Sequence, residues 1–260
     1  MGRTKGGGPQ AAKKAGKAES IDIIPELIYI NHRLDCPCKM NKILLSLSVA
    51  LVASVTVFAA HAEGVQGDIK AGEKKNAMCI GCHGIVGYQA SFPEIHKVPK
   101  ISGQGGKYIA SALNAYRAGD RKHASMRGIA ASLSDQDIAD LAAYYEASGA
   151  VEGAQPLAKA PEGSEKVNAL LTKGACASCH GDSFSKPVDP SYPKIAGQHS
   201  DYLFVALKAY KTEGNAQIGR SNGVMGGVAK QFSNAELKEL ANYMGKLPTE
   251  LKTVPQSRFR

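Results

Sequence analysis

The 260-residue sequence has no tryptophan, and it has no convincing run of alternating apolar and polar residues that would make a β-strand. Without such strands the βαβ setting of a thioredoxin-like Cys-x-x-Cys redox pair is missing. A clustered basic face with aromatic or groove-reading elements is missing as well. The formal charge of +9 does not supply one, because much of it lies at the front. Residues 1–62 hold eight Lys/Arg and four Asp/Glu, and the remainder has twenty-four basic and nineteen acidic residues, a net of +5. Nucleic-acid binding is therefore not expected. Cysteine is scarce, six in all, and four of the six fall in two short motifs.

Those motifs are Cys79-Ile80-Gly81-Cys82-His83 and Cys176-Ala177-Ser178-Cys179-His180. Both have the form Cys-x-x-Cys-His, the attachment signature of c-type haem. Cysteines at i and i+3 lie on one face of a helical turn and can reach both vinyl groups of one haem as thioethers. The following histidine then places an imidazole under the iron. A zinc site would need four ligands and has no need of a histidine directly after the second cysteine of both pairs. Two haem c groups are therefore expected, and their four propionates would cancel most of the residual charge. Such attachment takes place outside the cytoplasm on reduced thiols, so the four motif cysteines are not read as disulfides despite the oxidising compartment.

Residues 1–39 begin Gly/Lys-rich and lack sustained periodicity; Cys36 and Cys38 have no further ligands nearby. From Met40 the pattern is that of a secretory signal: a short positive start, an apolar run from Ile43 to Ala60 and a small-x-small site at Ala60-His61-Ala62. Cleavage near Ala62 would start the mature chain at Glu63, with Met40 as initiator and residues 1–39 as a start-site artefact. The rival is an uncleaved anchor, since the run sits at the lower edge of a spanning length.

The rest is an internal repeat. Pro99-Lys100-Ile101-Ser102-Gly103-Gln104 matches Pro193-Lys194-Ile195-Ala196-Gly197-Gln198, and Tyr108–Tyr116 matches Tyr202–Tyr210, at an offset of 94. Ser134–Tyr144 matches Ser233–Tyr243 at an offset of 99, and the cysteine motifs are offset by 97. Each copy reads as helices: one from Ala71 to Cys82 and its equivalent before Cys179, a middle helix, and a last helix opened by the capping boxes Ser134-x-x-Asp137 and Ser233-x-x-Glu236. The apolar faces of the last helices follow as Ile138, Leu141, Tyr144, Tyr145 and Leu237, Leu240, Tyr243, Met244. The organisation expected is a signal peptide at 40–62, a first domain at 63–148, a linker at 149–164 and a second domain at 165–260. Each lobe is too small for a large core, and the cofactor supplies the missing apolar surface.

The distal ligand decides whether an iron is open for chemistry. Met126 and Met225 each stand eight residues before the capping serine of the last helix, in glycine-rich stretches read as loops. A thioether there closes the iron and raises its potential. His123, three residues before Met126, is a rival in the first lobe and has no histidine counterpart in the second. His96 and His199 also lack counterparts and are read as surface or supporting residues. The proximal imidazoles are expected to donate to backbone carbonyls from the loops ending at Pro99 and Pro193. Tyr108, Tyr202, Arg117, Lys100 and Lys194 are candidates to meet propionates.

The paired Cys-x-x-Cys-His motifs, paired Pro-Lys-Ile-x-Gly-Gln turns and paired methionine stretches leading into Ser-Asp-Gln-Asp-Ile-like helices resemble the dihaem cytochrome c4 family over residues 63–247. That resemblance implies an all-α fold: two tandem cytochrome c-like domains related by a pseudo-two-fold axis, each wrapped around one covalent haem c, with propionate edges meeting at the interface. It implies thioether sites at Cys79, Cys82, Cys176 and Cys179, and axial ligands His83, Met126, His180 and Met225. It implies an electron carrier of the periplasm, soluble or loosely membrane-associated, between a donor complex and a terminal oxidase. The cytochrome subunit of a flavocytochrome sulfide dehydrogenase has the same two-lobed pattern. A dihaem peroxidase would need a displaceable distal ligand, against which the two methionines argue. Residues 1–39 have no counterpart in the family pattern.

Overall fold

Each copy of the repeat folds as helices, and the first helix of each is broken immediately before or inside the cysteine motif. A computed structural model describes residues 65–150 and 157–256. The signal segment 40–62, residues 1–39 with Cys36 and Cys38, and the middle of the 149–164 connection lie outside the described residues. In the first lobe α1 (Ile69–Lys75) is capped by Asp68, whose carboxylate accepts from Ala71 N at 2.7 Å. It stops at Asn76, and α2 (Ala77–His83) carries the motif, so the single helix expected from Ala71 to Cys82 is two. A two-residue ribbon follows, β1 (Gln89–Ala90) antiparallel to β2 (His96–Lys97). Then come α3 (Gly106–Ala118), β3 (Arg121–Lys122), α4 (Ala124–Ala131) and α5 (Asp135–Ala147). The capping box of α5 forms as expected: Ser134 Oγ accepts from Asp137 N, and the Asp137 carboxylate accepts from Ser134 N.

The second lobe repeats the order with α6 (Glu165–Lys173), α7 (Ala177–His180), α8 (Ser200–Lys211), β4 (Gly219–Arg220), α9 (Gly223–Lys230) and α10 (Asn234–Lys246). Here the break between the first two helices falls at Gly174 and Ala175, with Ala175 in the left-handed region at φ 46°. The last helix packs on the middle helix in both lobes, around Ile109, Leu141, Ala142 and Tyr145 in one and Leu203, Ala241 and Met244 in the other. Leu170, Phe232, Leu237 and Leu240 extend the second core. Each fully buried leucine among them contributes about 2 kcal/mol of apolar transfer energy. Where the middle and last helices cross, the small and large partners are exchanged: Gly106 takes the Glu146 carboxylate on its N–H at 2.9 Å, whereas Ser200 meets Gly245.

The Pro-Lys-Ile-x-Gly-Gln turns join the lobes. Gly103 and Gly197 have φ of 82° and 62°, which a side chain resists, and a Cβ on Gly197 would sit 2.4 Å from Thr249. Their N–H groups donate to the ends of the last helices, Gly103 to Tyr145 O and Gly197 to Met244 O. Next in each turn, a buried glutamine bonds to the main chain of the other lobe. Gln104 Nε2 donates to Lys194 O and its Oε1 accepts from Lys194 N, both at 2.9 Å. Gln198 does the same with Lys100, at 2.8 and 2.9 Å. These reciprocal bonds express the pseudo-two-fold relation. On the same seam β3 pairs antiparallel with β4, setting Arg121 opposite Arg220. The chain end crosses back to the first lobe, with Lys252 N donating to Ser102 O and Gln256 Nε2 to Tyr144 OH.

Candidate haem sites and the seam between the lobes

The cysteine motifs sit at the ends of α2 and α7. Cys79, Cys176 and Cys179 are partly buried and Cys82 is exposed, none of the four in a disulfide. His83 closes α2 and His180 closes α7. His83 Nδ1 lies 2.8 Å from Pro99 O, and His180 Nδ1 lies 3.0 Å from Pro193 O, the carbonyls expected from the two loops. A carbonyl only accepts, so each Nδ1 carries the proton and donates, leaving the Nε2 lone pair for a metal. Burial pushes both imidazoles below their ordinary pKa, the Pro carbonyls oppose it, and His123 and Arg121 add to the fall at His83. A neutral imidazole, oriented through Nδ1, with one thiol directly before it and another about one helical turn back, is the donor set a c-type haem takes. The residues fit the group in both lobes.

Met126 and Met225 are not in loops. They are the third residues of α4 and α9, half-buried in the first helical turn. The glycine-rich composition concealed two short helices because their start signals are a histidine and an asparagine. His123 accepts from Met126 N through Nδ1 at 3.4 Å, and Asn222 accepts from Met225 N at 2.9 Å. The supposed rival ligand His123 is thus the helix cap whose counterpart is Asn222. His96 is not a surface residue. It is 4% exposed, with its ring 6.3 Å from His123 and 6.2 Å from Tyr202. His199 occupies the cap position of α8, and its side chain makes no capping bond there.

Of the candidates for propionates, Arg117 is committed elsewhere, to Asp135 at 2.5 Å and to Asn114. Lys100 Nζ donates to Gly197 O, and Lys194 pairs with Glu250. Tyr108 and Tyr202 instead converge with Arg121 and Arg220, which are not among the residues expected from the sequence. Arg121 donates to Tyr108 OH at 3.1 Å and to Tyr202 OH at 2.7 Å, and Arg220 donates to Tyr202 OH at 3.1 Å. Arg121 Nε is buried with no partner, and neither guanidinium makes an ion pair among the described residues. Two cations opposed on a ribbon and desolvated together are unfavourable unless anions share the space. Burial raises the Tyr202 phenol, but the two arginines outweigh it and draw its pKa down. A pair of haem carboxylates matches this unspent positive charge. The signal that finds these arginines is the repeat itself, for they match at the methionine offset of 99.

The chain is similar to known proteins along most of its described length. The cytochrome c family model matches residues 69–147 and again 164–248. Cytochrome c4 of Stutzerimonas stutzeri is 34% identical over 218 residues, covering 79% of this chain and 98% of that protein. The crystal structure of reduced recombinant cytochrome c4 from Pseudomonas stutzeri superposes with a TM-score of 0.51 at 30% identity, over 70% of this chain and 100% of that one. The thiosulfate dehydrogenase electron acceptor of Stutzerimonas stutzeri (strain A1501) is 31% identical over 64% of this chain and 76% of its own length. With two cytochrome c domains, two covalent haem c groups and relatives that match nearly end to end, the chain belongs to the cytochrome c4 family of dihaem electron-transfer proteins.

Proposed function

We propose that this protein is a two-centre electron carrier of the periplasm, with both irons closed by a histidine and a methionine. The observation that carries the reading is the duplicated imidazole geometry: His83 on Pro99 O and His180 on Pro193 O, each with Nε2 left to a metal. When bound, each haem supplies a one-electron ferric–ferrous couple. The protein's own residues do the rest. Cys79 and Cys82, and Cys176 and Cys179, anchor the groups covalently. Pro99 and Pro193 fix the imidazole orientation and make the nitrogens better donors. Met126 and Met225, on capped helices, provide soft distal ligands that exclude substrates and favour the reduced state. Arg121 and Arg220 are the residues that would hold the haem carboxylates.

Export by the 40–62 segment places the carrier outside the cytoplasm, with the mature N-terminus at Glu63; intact mass of the secreted protein tests that. No described helix is long and apolar enough to cross a membrane. Electrons pass to a terminal oxidase, or arrive from a periplasmic dehydrogenase. The likeness to a thiosulfate dehydrogenase electron acceptor favours a thiosulfate dehydrogenase as donor over a flavocytochrome sulfide dehydrogenase as partner.

The test is spectroscopic. A ferric haem with a thioether ligand has a far-red charge-transfer band. Met126→Ala and Met225→Ala each remove about half of it, and the double variant removes all. A high-spin ferric spectrum in the unaltered protein overturns the reading. Reduction of the purified holoprotein by a thiosulfate dehydrogenase, against no reduction by thiosulfate alone, tests the donor.

A further inference from the structure

At one position beside a motif cysteine the two lobes differ in chemistry. Tyr145, near the end of α5, is 5% exposed and belongs to the cluster against which Cys79 packs. Its counterpart, offset by 99, is Met244, also 5% exposed, in the cluster against which Cys176 packs. A phenol therefore lies beside the first motif and a thioether beside the second. The Tyr145 hydroxyl is fully buried and makes no hydrogen bond of ordinary geometry among the described residues; the Cys79 sulfur is the group it interacts with. A buried hydroxyl without a strong acceptor is costly, so its proton is placed for an acceptor at the Cys79 edge. The Cys79 sulfur acts on it electrostatically; in the holoprotein this atom is the thioether joining the chain to the haem. Burial, the largest cause, holds the phenol above its ordinary pKa, so it stays a neutral donor at working pH.

We propose that Tyr145 is a positioning residue that sets the two centres apart, its hydroxyl donating to the Cys79 edge of the first haem and raising that centre's reduction potential relative to the second. This rests on Cys79 being an attachment site. A donor dipole directed at the macrocycle edge stabilises the electron-richer ferrous form, and hydrogen bonds and burial around a haem are established determinants of its potential. Met244 has no proton to give, so the second centre lacks this contribution.

The experiment uses the full dihaem protein. Haem-methyl NMR signals are assigned to each lobe through contacts with its own residues, and both centres are followed through a redox titration. Tyr145→Phe keeps the ring and removes the donor; Tyr145→Met copies the second lobe. Both variants are expected to lower the first centre's potential and leave the second in place, while Met244→Leu moves neither by a comparable amount. Unchanged potentials in Tyr145→Phe, or an equal shift of both centres, overturn the proposal. Cys79→Ser separates it from its foundation. If two thioether bonds per haem survive that change, the attachment reading fails. If the first haem loses one bond and Tyr145→Phe still moves nothing, only the role of Tyr145 fails.

Discussion

The two lobes keep the same residues at the turns and ribbon that hold the proximal imidazoles and the seam, while several packing and capping positions differ. Pro99 and Pro193, Gly103 and Gly197, Gln104 and Gln198, Arg121 and Arg220 are identical pairs with matching contacts. Packing positions have diverged in compensated ways. Gly106 with Glu146 becomes Ser200 with Gly245, and the His123 cap becomes Asn222. α1 crosses α5 so closely that a Cβ on Gly72 would lie 2.1 Å from Asp140 O, while Ala169 stands at the matching place in α6. A duplicated domain is thus constrained by its cofactor and its partner copy, and each core is free to find its own complementary set.

The comparison is broken most severely by removing a proximal ligand. His83→Ala and His180→Ala each leave a lobe without its iron ligand and without the apolar group its small core is built around. Each variant is expected to hold about half the haem of the parent by pyridine haemochrome assay and to lose helix in one lobe. Parental haem content in either variant would show that the motif histidine is dispensable there.

Next in size is the seam. Gln104→Ala and Gln198→Ala each delete two inter-lobe hydrogen bonds and leave a buried Lys194 or Lys100 main-chain pair unsatisfied. At about 1 kcal/mol per bond each variant should lose about 2 kcal/mol, read as a fall in Tm. Because the contacts are reciprocal, the two losses should be nearly equal. A large inequality would show that the lobes do not share the seam evenly.

Much of this was legible before the structure. The repeat, the capping boxes and the cysteine motifs are local patterns with a fixed physical meaning, and each appears where the spacing placed it. The capping serines Ser134 and Ser233 are plain start signals. The helices of Met126 and Met225 were not legible, because a histidine cap is uncommon and Met225-Gly226-Gly227 reads as a loop. The break at Asn76 was also missed: asparagine favours caps and turns, but a single one inside a helical pattern does not by itself end the helix. The arginine pair was hidden for a different reason. A basic residue is by default a solvated one, and what buries Arg121 and half-buries Arg220 involves the other lobe, which no single stretch of sequence contains.

The smallest effects separate the lobes at one matched pair of acids. Asp140 is 2% exposed and accepts from Lys75 Nζ at 2.6 Å, Asp68 N at 2.8 Å and Gln136 Nε2 at 2.8 Å. The hydrogen bond from Lys75 leads in holding its pKa below the ordinary 3.8, with Asp68 N and Gln136 helping and burial opposing. A carboxylate depressed in the folded state stabilises fully above its unfolded pKa, and that stabilisation is lost as the pH falls through the lower folded value. Asp140→Asn should therefore lower the Tm at neutral pH, and the gap to the parent should close as the pH is taken below 3.8. Its counterpart Glu239 makes one surface pair with Lys166, the two side chains 36% and 64% exposed. Solvent screening and the entropy of two long side chains leave such a pair worth about 0.5 kcal/mol or less. Glu239→Gln should therefore be within that margin in a denaturant titration, and the margin should shrink further in high salt. A Tm loss from Glu239→Gln matching that from Asp140→Asn would show that the acid counts by its place in the repeat. The expected inequality shows that it counts by burial and partners.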